Sequence, residues 1–267
     1  MELKITFAHI LKPTNIFSMK HLAFLIIFIF SLQYSFAQKK ESVAESISSV
    51  HAQYGLHFPA ADMEKRYGVS QFAGIALSHK TKTNWMFDLD FTYFFGGDVK
   101  IHDSLFKNLV NSSGTITDGN GEAAEVFTYE RGYFLIANIY KILPVFAANK
   151  NSGLTFGLGS GFMQHKIRVY NPDNTAPQVC GDYKKGYDYL SNGIAFRQYI
   201  GYTFFAPKRI YSFRVGFEVI EGLTEGRRSY LFPIGGPDTQ KRLDILYGLK
   251  LNWTIPLKKT KQTYFYN

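Results

Sequence analysis

The sequence predicts an all-β chain that closes into an antiparallel up-and-down membrane barrel of about eight strands. Three observations predict this fold. Apolar side chains recur at every second position, long and short connectors alternate along the chain, and aromatic residues make up 17% of it with only 2 Trp. The mean hydropathy is −0.12, so polar residues dilute the aromatic ones. Strands that each turn one face to lipid have this kind of composition.

Residues 1–37 are predicted to be a secretory signal peptide. The mainly apolar run 22–32 follows Lys20 and leads to Ser35-Phe36-Ala37, a small-x-small cleavage site. A transmembrane helix needs about 20 apolar residues, more than this run supplies. Export would leave residues 38–257 as the barrel and residues 258–267 as a basic and aromatic tail.

Eight segments carry the alternation, and residues 85–95 and 243–255 show it most clearly. In each, apolar residues share one face and mainly polar, charged or Gly residues share the other, although Met86 and Phe94 also lie on the second face of 85–95. The remaining six are 50–58, 69–79, 129–139, 154–162, 194–204 and 211–219. Their lengths are near the roughly 9–11 residues that a tilted membrane-crossing strand needs.

The connectors between these segments alternate in length. Short ones lie at 80–84, 147–153 and 206–209, and longer ones at 59–68, 96–128, 171–193 and 222–242. Outer-membrane barrels have short periplasmic turns and long outward loops, so this order predicts location in the outer membrane.

The pattern resembles the small outer-membrane barrels of the Bacteroidota, with OmpA/OmpX-like and OmpW-like proteins as general analogues. The resemblance rests on the signal ending Phe36-Ala37-Gln38, the eight alternating segments and the final strand 249–257. It covers residues 50–257 in pattern only. The tail 258–267 departs from it, since many such barrels end on the last strand; either Trp253-Thr254-Ile255 or the aromatic tail would then carry the assembly signal.

Charged residues on the inward faces are expected to pair within the lumen. An eight-stranded barrel holds little more than its own side chains, and an unpaired buried ion is costly. The expected structural network contains Asp88, Asp90, Glu130, Arg197, Arg214, Glu218 and Lys250, and Asp244 is a further candidate. Arg214 and Glu218 are expected at its centre, and a proton or ion path is the alternative interpretation.

Aromatic residues near strand ends are expected at the two membrane interfaces. They are Trp85, Phe95, Tyr211 and Trp253. The formal net charge of +9 is scattered along the chain. With export, it favours lipopolysaccharide or acidic lipid headgroups over nucleic acid as a partner. The single Cys180 excludes an internal disulfide framework.

No catalytic, metal or cofactor site is predicted. His57 and Ser70 could approach each other at the outer strand ends, but no G-x-S-x-G or H-E-x-x-H motif accompanies them. The run 157–161 lacks the Lys of a phosphate loop, and its glycines are expected to relieve crowding in the lumen.

The expected function is therefore a non-enzymatic envelope protein, with a structural or accessory role or a role in surface interaction. The long loops 96–128 and 171–193, the second with several Tyr and Lys residues, are expected either to contact envelope or surface proteins or glycans or to be disordered. The alternatives are a narrow channel for small solutes, a lipid-acting barrel enzyme and a secreted soluble β-sandwich.

Overall fold

The computed structural model describes residues 44–206 and 211–257. The predicted signal peptide 1–37 and tail 258–267 lie outside the described residues. The described residues form ten strands, in chain order: β1 Ile47–Ala61, β2 Ser70–Lys80, β3 Trp85–Gly96, β4 Ile116–Thr117, β5 Ala123–Ala124, β6 Phe127–Leu143, β7 Gly153–Tyr170, β8 Ser191–Phe204, β9 Ser212–Gly226 and β10 Lys241–Pro256. A short α-helix spans His102–Phe106, and 3-10 helices span Pro177–Val179 and Gly181–Gly186. Within residues 44–206 and 211–257, no helix has the length and apolar character needed to cross a membrane.

Eight of these strands form a closed antiparallel barrel in the order β1-β10-β9-β8-β7-β6-β3-β2. The ring closes where β1 pairs with β10, from Ser49 opposite Pro256 to Ala61 opposite Asp244. Strands β4 and β5 form a separate small hairpin. Closure leaves the barrel without an edge strand, as a wall surrounded by lipid requires. The predicted eight-stranded up-and-down barrel is confirmed.

The register of the strands sets their tilt. A path from His57 through the directly paired residue of each successive strand returns to β1 at Ile47, ten residues nearer the start of that strand. Eight strands with such a stagger tilt by about 35–45° from the barrel axis. A strand segment of ten residues at this tilt, with roughly 3.3 Å per residue, spans about 25 Å along the barrel axis. This span equals the height of the apolar band of an outer-membrane barrel.

The connectors divide the barrel into two ends. The turn end carries the connectors 81–84 and 144–152, together with the described residues 205–206 and 211 between β8 and β9. The other end carries 62–69, 97–126, 171–190 and 227–240, which together are called the cap. The three longest connectors, 97–126, 171–190 and 227–240, therefore lie at one end, as the sequence predicted. The first cap connector, 62–69, is about as short as the turn-end connector 144–152, so the strict alternation in length holds only for the later strands.

The outward side chains form an apolar band. On β3, Trp85, Phe87, Leu89, Phe91 and Tyr93 point outward and are each between 42% and 52% exposed. The other strands contribute similar rows, such as Leu249, Leu251, Trp253 and Ile255 on β10. A continuous apolar belt of this extent around a closed barrel is a lipid-facing surface.

Strands β7 and β9 extend toward the cap beyond their predicted ends at 162 and 219, reaching Tyr170 and Gly226. In the added part of β7 the pattern inverts: Lys166 and Arg168 are exposed, while Met163 and Ile167 are buried. The prediction stopped at Phe162 because it required an apolar outward face. Beyond the lipid band, the outward face of a strand contacts water and its inward face lines the apolar interior.

Candidate functional site

The centre of the lumen holds four buried charges from four strands. Asp90 comes from β3, Arg197 from β8, Glu218 from β9 and Lys250 from β10. Arg197 Nη1 lies 2.7 Å and Lys250 Nζ 2.7 Å from Asp90 Oδ2. Glu218 Oε2 lies 3.1 Å from Arg197 Nε and 3.4 Å from Lys250 Nζ. Two cations and two carboxylates are thus paired with formal neutrality, and His57 Nε2 lies 2.9 Å from Glu218 Oε1.

A second charged layer lies nearer the turn end. Arg214 Nη2 lies 2.7 Å from Asp88 Oδ2. The guanidinium carbon of Arg214 is 4.2 Å from the ring centroid of Tyr140 and 5.6 Å from that of Tyr199. The expected centre at Arg214 and Glu218 is therefore divided between two layers, with Glu218 in the first and Arg214 in the second.

The structure does not bring Glu130 into either layer. Its carboxylate lies near the cap end, beside Gly96 and Ser70. It is 1% exposed, and neither carboxylate oxygen has a hydrogen-bond partner among the described residues. The alternation predicted that the Glu130 side chain points inward on β6. Its position along the barrel axis relative to the other charges depends on the stagger between strands, which the alternation does not determine.

A third charged layer lies at the cap-side mouth of the barrel. The sequence analysis did not predict that its members come together. Arg66 Nη2 lies 2.7 Å from Asp244 Oδ1, and His165 Nε2 lies 2.9 Å from Asp244 Oδ2. The hydroxyl of Thr224 donates a hydrogen bond to the same carboxylate. Arg66 belongs to the connector 62–69, so no strand pattern could have placed it in the lumen.

An apolar cluster fills the half of the lumen next to the cap and continues into the cap. Inside the barrel, Phe72, Phe94 and Phe134 are fully buried, and Phe94 stacks on Phe134 with ring centroids 4.6 Å apart. The same cluster includes these cap residues: Met63, Tyr67, Val99, Leu105, Phe106, Ile116, Ala176, Val179 and Tyr187. Burial raises the pKa of Tyr67 well above its ordinary value, so its phenol stays neutral.

Backbone contacts also join the cap segments to one another. Gly119 N donates to Thr175 O at 2.9 Å, linking 97–126 to 171–190. Phe232 N donates to Gly186 O at 2.9 Å, linking 171–190 to 227–240. The cap is therefore a folded layer with an apolar core that is shared with the barrel.

These layers close the described lumen to bulk water. The side chains of Arg197, Arg214, Glu218 and Lys250 are at most 1% exposed. The aromatic layer above them is inaccessible to water as well. No aqueous path therefore runs through this part of the barrel in the described conformation.

His57 and Ser70 are directly opposite each other on β1 and β2. They do not form the hydrogen bond that a nucleophile and its base require. The His57 ring stacks on Phe72, with centroids 4.2 Å apart, and its Nε2 contacts Glu218. In the part of the chain that the structure describes, the Ser70 hydroxyl has no hydrogen-bond partner.

The four aromatic residues expected at the interfaces lie near strand ends. Trp85 begins β3, Tyr211 precedes β9 and Trp253 lies close to the end of β10, all toward the turn end. Phe95 lies at the cap end of β3, where its ring stacks on Tyr93 with centroids 6.0 Å apart. Their role in positioning the barrel in a membrane stays a prediction.

A cleft of about 490 Å³ lies on the outside of the barrel, between the cap ends of β6 and β7 and the connector 171–190. Six cationic side chains line it: Arg131, Lys166, Arg168, Lys184, Lys185 and Arg228. This set is called the basic cleft. Asp188 is the one carboxylate among its described lining residues. Asp188 accepts hydrogen bonds from Nε and Nη2 of Arg228, and these raise the pKa of that guanidinium.

A second, smaller cleft of about 310 Å³ adjoins the first and shares Lys185 and Arg228 with it. Tyr183, Tyr230 and Phe232 supply its aromatic lining, and Tyr183 is 60% exposed. The ring centroids of Tyr183 and Phe232 are 6.3 Å apart. This aromatic cleft lies on the cap, outside the apolar band.

No protein-family model matches the chain, and no curated protein matches its sequence. Solved structures of similar fold include Ail, the attachment invasion locus protein of Yersinia pestis, at 9% identity and a TM-score of 0.42 over 79% of this chain and 99% of Ail. Ail in complex with the heparin analogue sucrose octasulfate gives 10% identity and a TM-score of 0.41 over the same shares. The outer membrane protein OprG from Pseudomonas aeruginosa is 8% identical, with a TM-score of 0.36, over 80% of this chain and 99% of OprG.

The molecule's own geometry carries the membrane assignment. A closed antiparallel ring with an apolar outer band and long connectors at one end has the features of outer-membrane β-barrels. The chain is a barrel of this type. The resemblance to Bacteroidota barrels in particular stays a prediction.

Proposed function

We propose that the protein is a non-enzymatic, non-conducting outer-membrane barrel that anchors a folded cap at the cell surface for interaction with envelope or surface partners. One observation carries the proposal: the cluster that fills the outer lumen is continuous with the core of the cap. A barrel built for passage keeps its lumen open. Here the lumen instead supports the cap from below.

The charged layers fit this role. Asp90, Arg197, Glu218 and Lys250 connect strands from opposite sides of the ring, which makes the wall rigid. Arg66 and Asp244 tie the first cap segment to the barrel mouth. A rigid scaffold that positions loops is a common basis for binding surfaces.

Labelling of engineered cysteines in intact cells tests the placement of the cap. In a Cys180→Ser background, S113C places a thiol on an exposed cap residue and K82C places one on an exposed residue at the turn end. A membrane-impermeant maleimide is expected to label S113C in intact cells, and K82C only after the outer membrane is permeabilised. Labelling of K82C but not S113C in intact cells would overturn the proposed orientation.

A further inference from the structure

We propose that the basic cleft binds the phosphorylated headgroup of a glycolipid in the surrounding membrane leaflet. This inference names a partner class for the proposed surface role and rests on the cap facing outward. The ligand's phosphate groups would contact the cations of the cleft. Its acyl chains would follow the apolar band, and its sugars would extend toward the aromatic cleft.

The position of the cleft along the barrel axis, at the edge of the apolar band, supports a lipid ligand. Tyr133 on β6 is in register with Tyr93 on β3, near the cap edge of the apolar band. Arg131 is the next outward residue of β6 toward the cap, and Lys166 is its direct partner on β7. Below them, exposed Leu135 continues the apolar face. The cations therefore lie just beyond the apolar edge, where the headgroups of a bilayer begin.

The charge of the cleft supports an anionic ligand. The carboxylate of Asp188 is engaged by Arg228, and Lys185 pairs with Asp182 at 2.7 Å. Among residues 44–206 and 211–257, no carboxylate lies within ion-pair distance of the other four cations of the cleft, which are Arg131, Lys166, Arg168 and Lys184. These four carry the unneutralised charge of the cleft. Phosphate oxygens accept charge-assisted hydrogen bonds from Arg and Lys, and Arg can bind them in a bidentate manner.

The order of the two clefts supports a glycolipid over a simple phospholipid. The aromatic cleft shares Lys185 and Arg228 with the basic cleft and lies on its cap side. Tyr183, Tyr230 and Phe232 present exposed rings there, whose faces are apolar and whose Tyr edges are polar. Such rings suit sugar residues that follow the phosphate groups away from the bilayer.

Lipid binding by the purified protein tests the inference. Native mass spectrometry in detergent would compare diphosphorylated lipid A, its monophosphorylated form and phosphatidylethanolamine, each titrated against the full barrel. The wild type is expected to prefer the three lipids in that order. The variant K166Q/R168Q should bind diphosphorylated lipid A at least about tenfold more weakly, since each lost contact is a charge-assisted hydrogen bond.

The matched control is K100Q/K107Q, which removes the same charge from exposed cap residues outside the cleft. It should bind within about twofold of the wild type, because it touches no lining residue. Heat-modifiable gel mobility would show that both variants fold. Wild-type affinity in K166Q/R168Q, or equal losses in both variants, would overturn the assignment to this cleft.

Soluble anions distinguish the source of the phosphate. Inorganic phosphate or a sulfated oligosaccharide that binds the wild type as tightly as the lipid would overturn the glycolipid assignment. Binding in detergent does not depend on which way the barrel is inserted, whereas cysteine labelling does. A failure of the glycolipid inference is therefore distinguishable from a failure of the proposed cap orientation.

Discussion

Arg197 Nη1 lies 2.7 Å from Asp90 Oδ2, although β8 and β3, which carry the two residues, are separated in the barrel wall by β7 and β6. The ion pair therefore crosses the lumen and joins walls that share no backbone hydrogen bonds. Lys250 contacts the same carboxylate oxygen from a third strand. Removal of one of these charged side chains leaves the others buried without enough opposite charge to neutralise them.

Arg197→Ala is expected to lower the free energy of unfolding by about 3–5 kcal/mol, because it leaves buried carboxylates with too little positive charge. Urea unfolding in detergent micelles, followed by Trp fluorescence and gel mobility, measures the loss. The control Lys241→Ala alters an exposed side chain at the cap end of β10 and should change stability by less than about 0.5 kcal/mol. Equal stability of Arg197→Ala and the wild type would show that the crossing ion pair does not stabilise the barrel.

Gly157→Ala is expected to destabilise the barrel by about 1–3 kcal/mol through overpacking. A Cβ at Gly157 would overlap Cδ1 of Tyr140, whose ring covers the glycine from the next strand. Thermal unfolding compares this variant with Gly97→Ala, where an added Cβ meets nothing within 4 Å. A Tm for Gly157→Ala equal to that of Gly97→Ala would contradict the packing of Tyr140 on Gly157.

The sequence predicted the strands well because the alternation of apolar and polar side chains at every second position is a local property. All eight barrel strands were located, and the inward orientation of Asp90, Arg197, Glu218 and Lys250 followed from the same alternation. The extension of β7 to Tyr170 was missed, since outside the lipid band the apolar residues change faces. A single pattern of apolar outward residues cannot describe a strand that passes from lipid into water.

Which lumen residues meet one another is not a local property. A stagger of ten residues around the ring places Asp90 with Arg197 and leaves Glu130 apart near the cap. Pair register between strands is needed for that result, and the sequence alone did not supply it. Arg66 was missed for a further reason, because its partner Asp244 lies 178 residues away and the connector that carries Arg66 has no period.

Asp244→Asn is expected to loosen the first cap segment more than the barrel. The substitution weakens the contacts of this side chain with Arg66 and His165 at the barrel mouth. Hydrogen exchange measured by mass spectrometry should speed up at least about tenfold in residues 62–69, while the lower halves of the strands keep their protection. The control Glu225→Gln, near the cap end of β9, should leave that exchange unchanged; equal rates in both variants would exclude this role for Asp244.

Two polar residues on the outward face of the barrel are expected to lower its stability in a membrane. Gln198 Nε2 donates to Glu221 Oε1 at 3.2 Å, and their outward neighbours Ile200 and Leu223 are exposed apolar residues. Polar groups facing lipid reduce stability in a depth-dependent way. The variant Q198L/E221L should therefore raise the free energy of unfolding in phospholipid vesicles by about 1–2 kcal/mol. A loss of stability would mean that this pair does not face lipid.

The closed lumen is tested most directly by current recordings on the purified protein in planar phospholipid bilayers. Insertion would first be verified by heat-modifiable mobility of the same preparation. The packed layers from Arg214 and Asp88 to Phe94 and Phe134 leave no aqueous path, so membranes holding the barrel are expected to show no stepwise current. Reproducible current steps of uniform size would contradict a closed lumen and would favour a narrow channel.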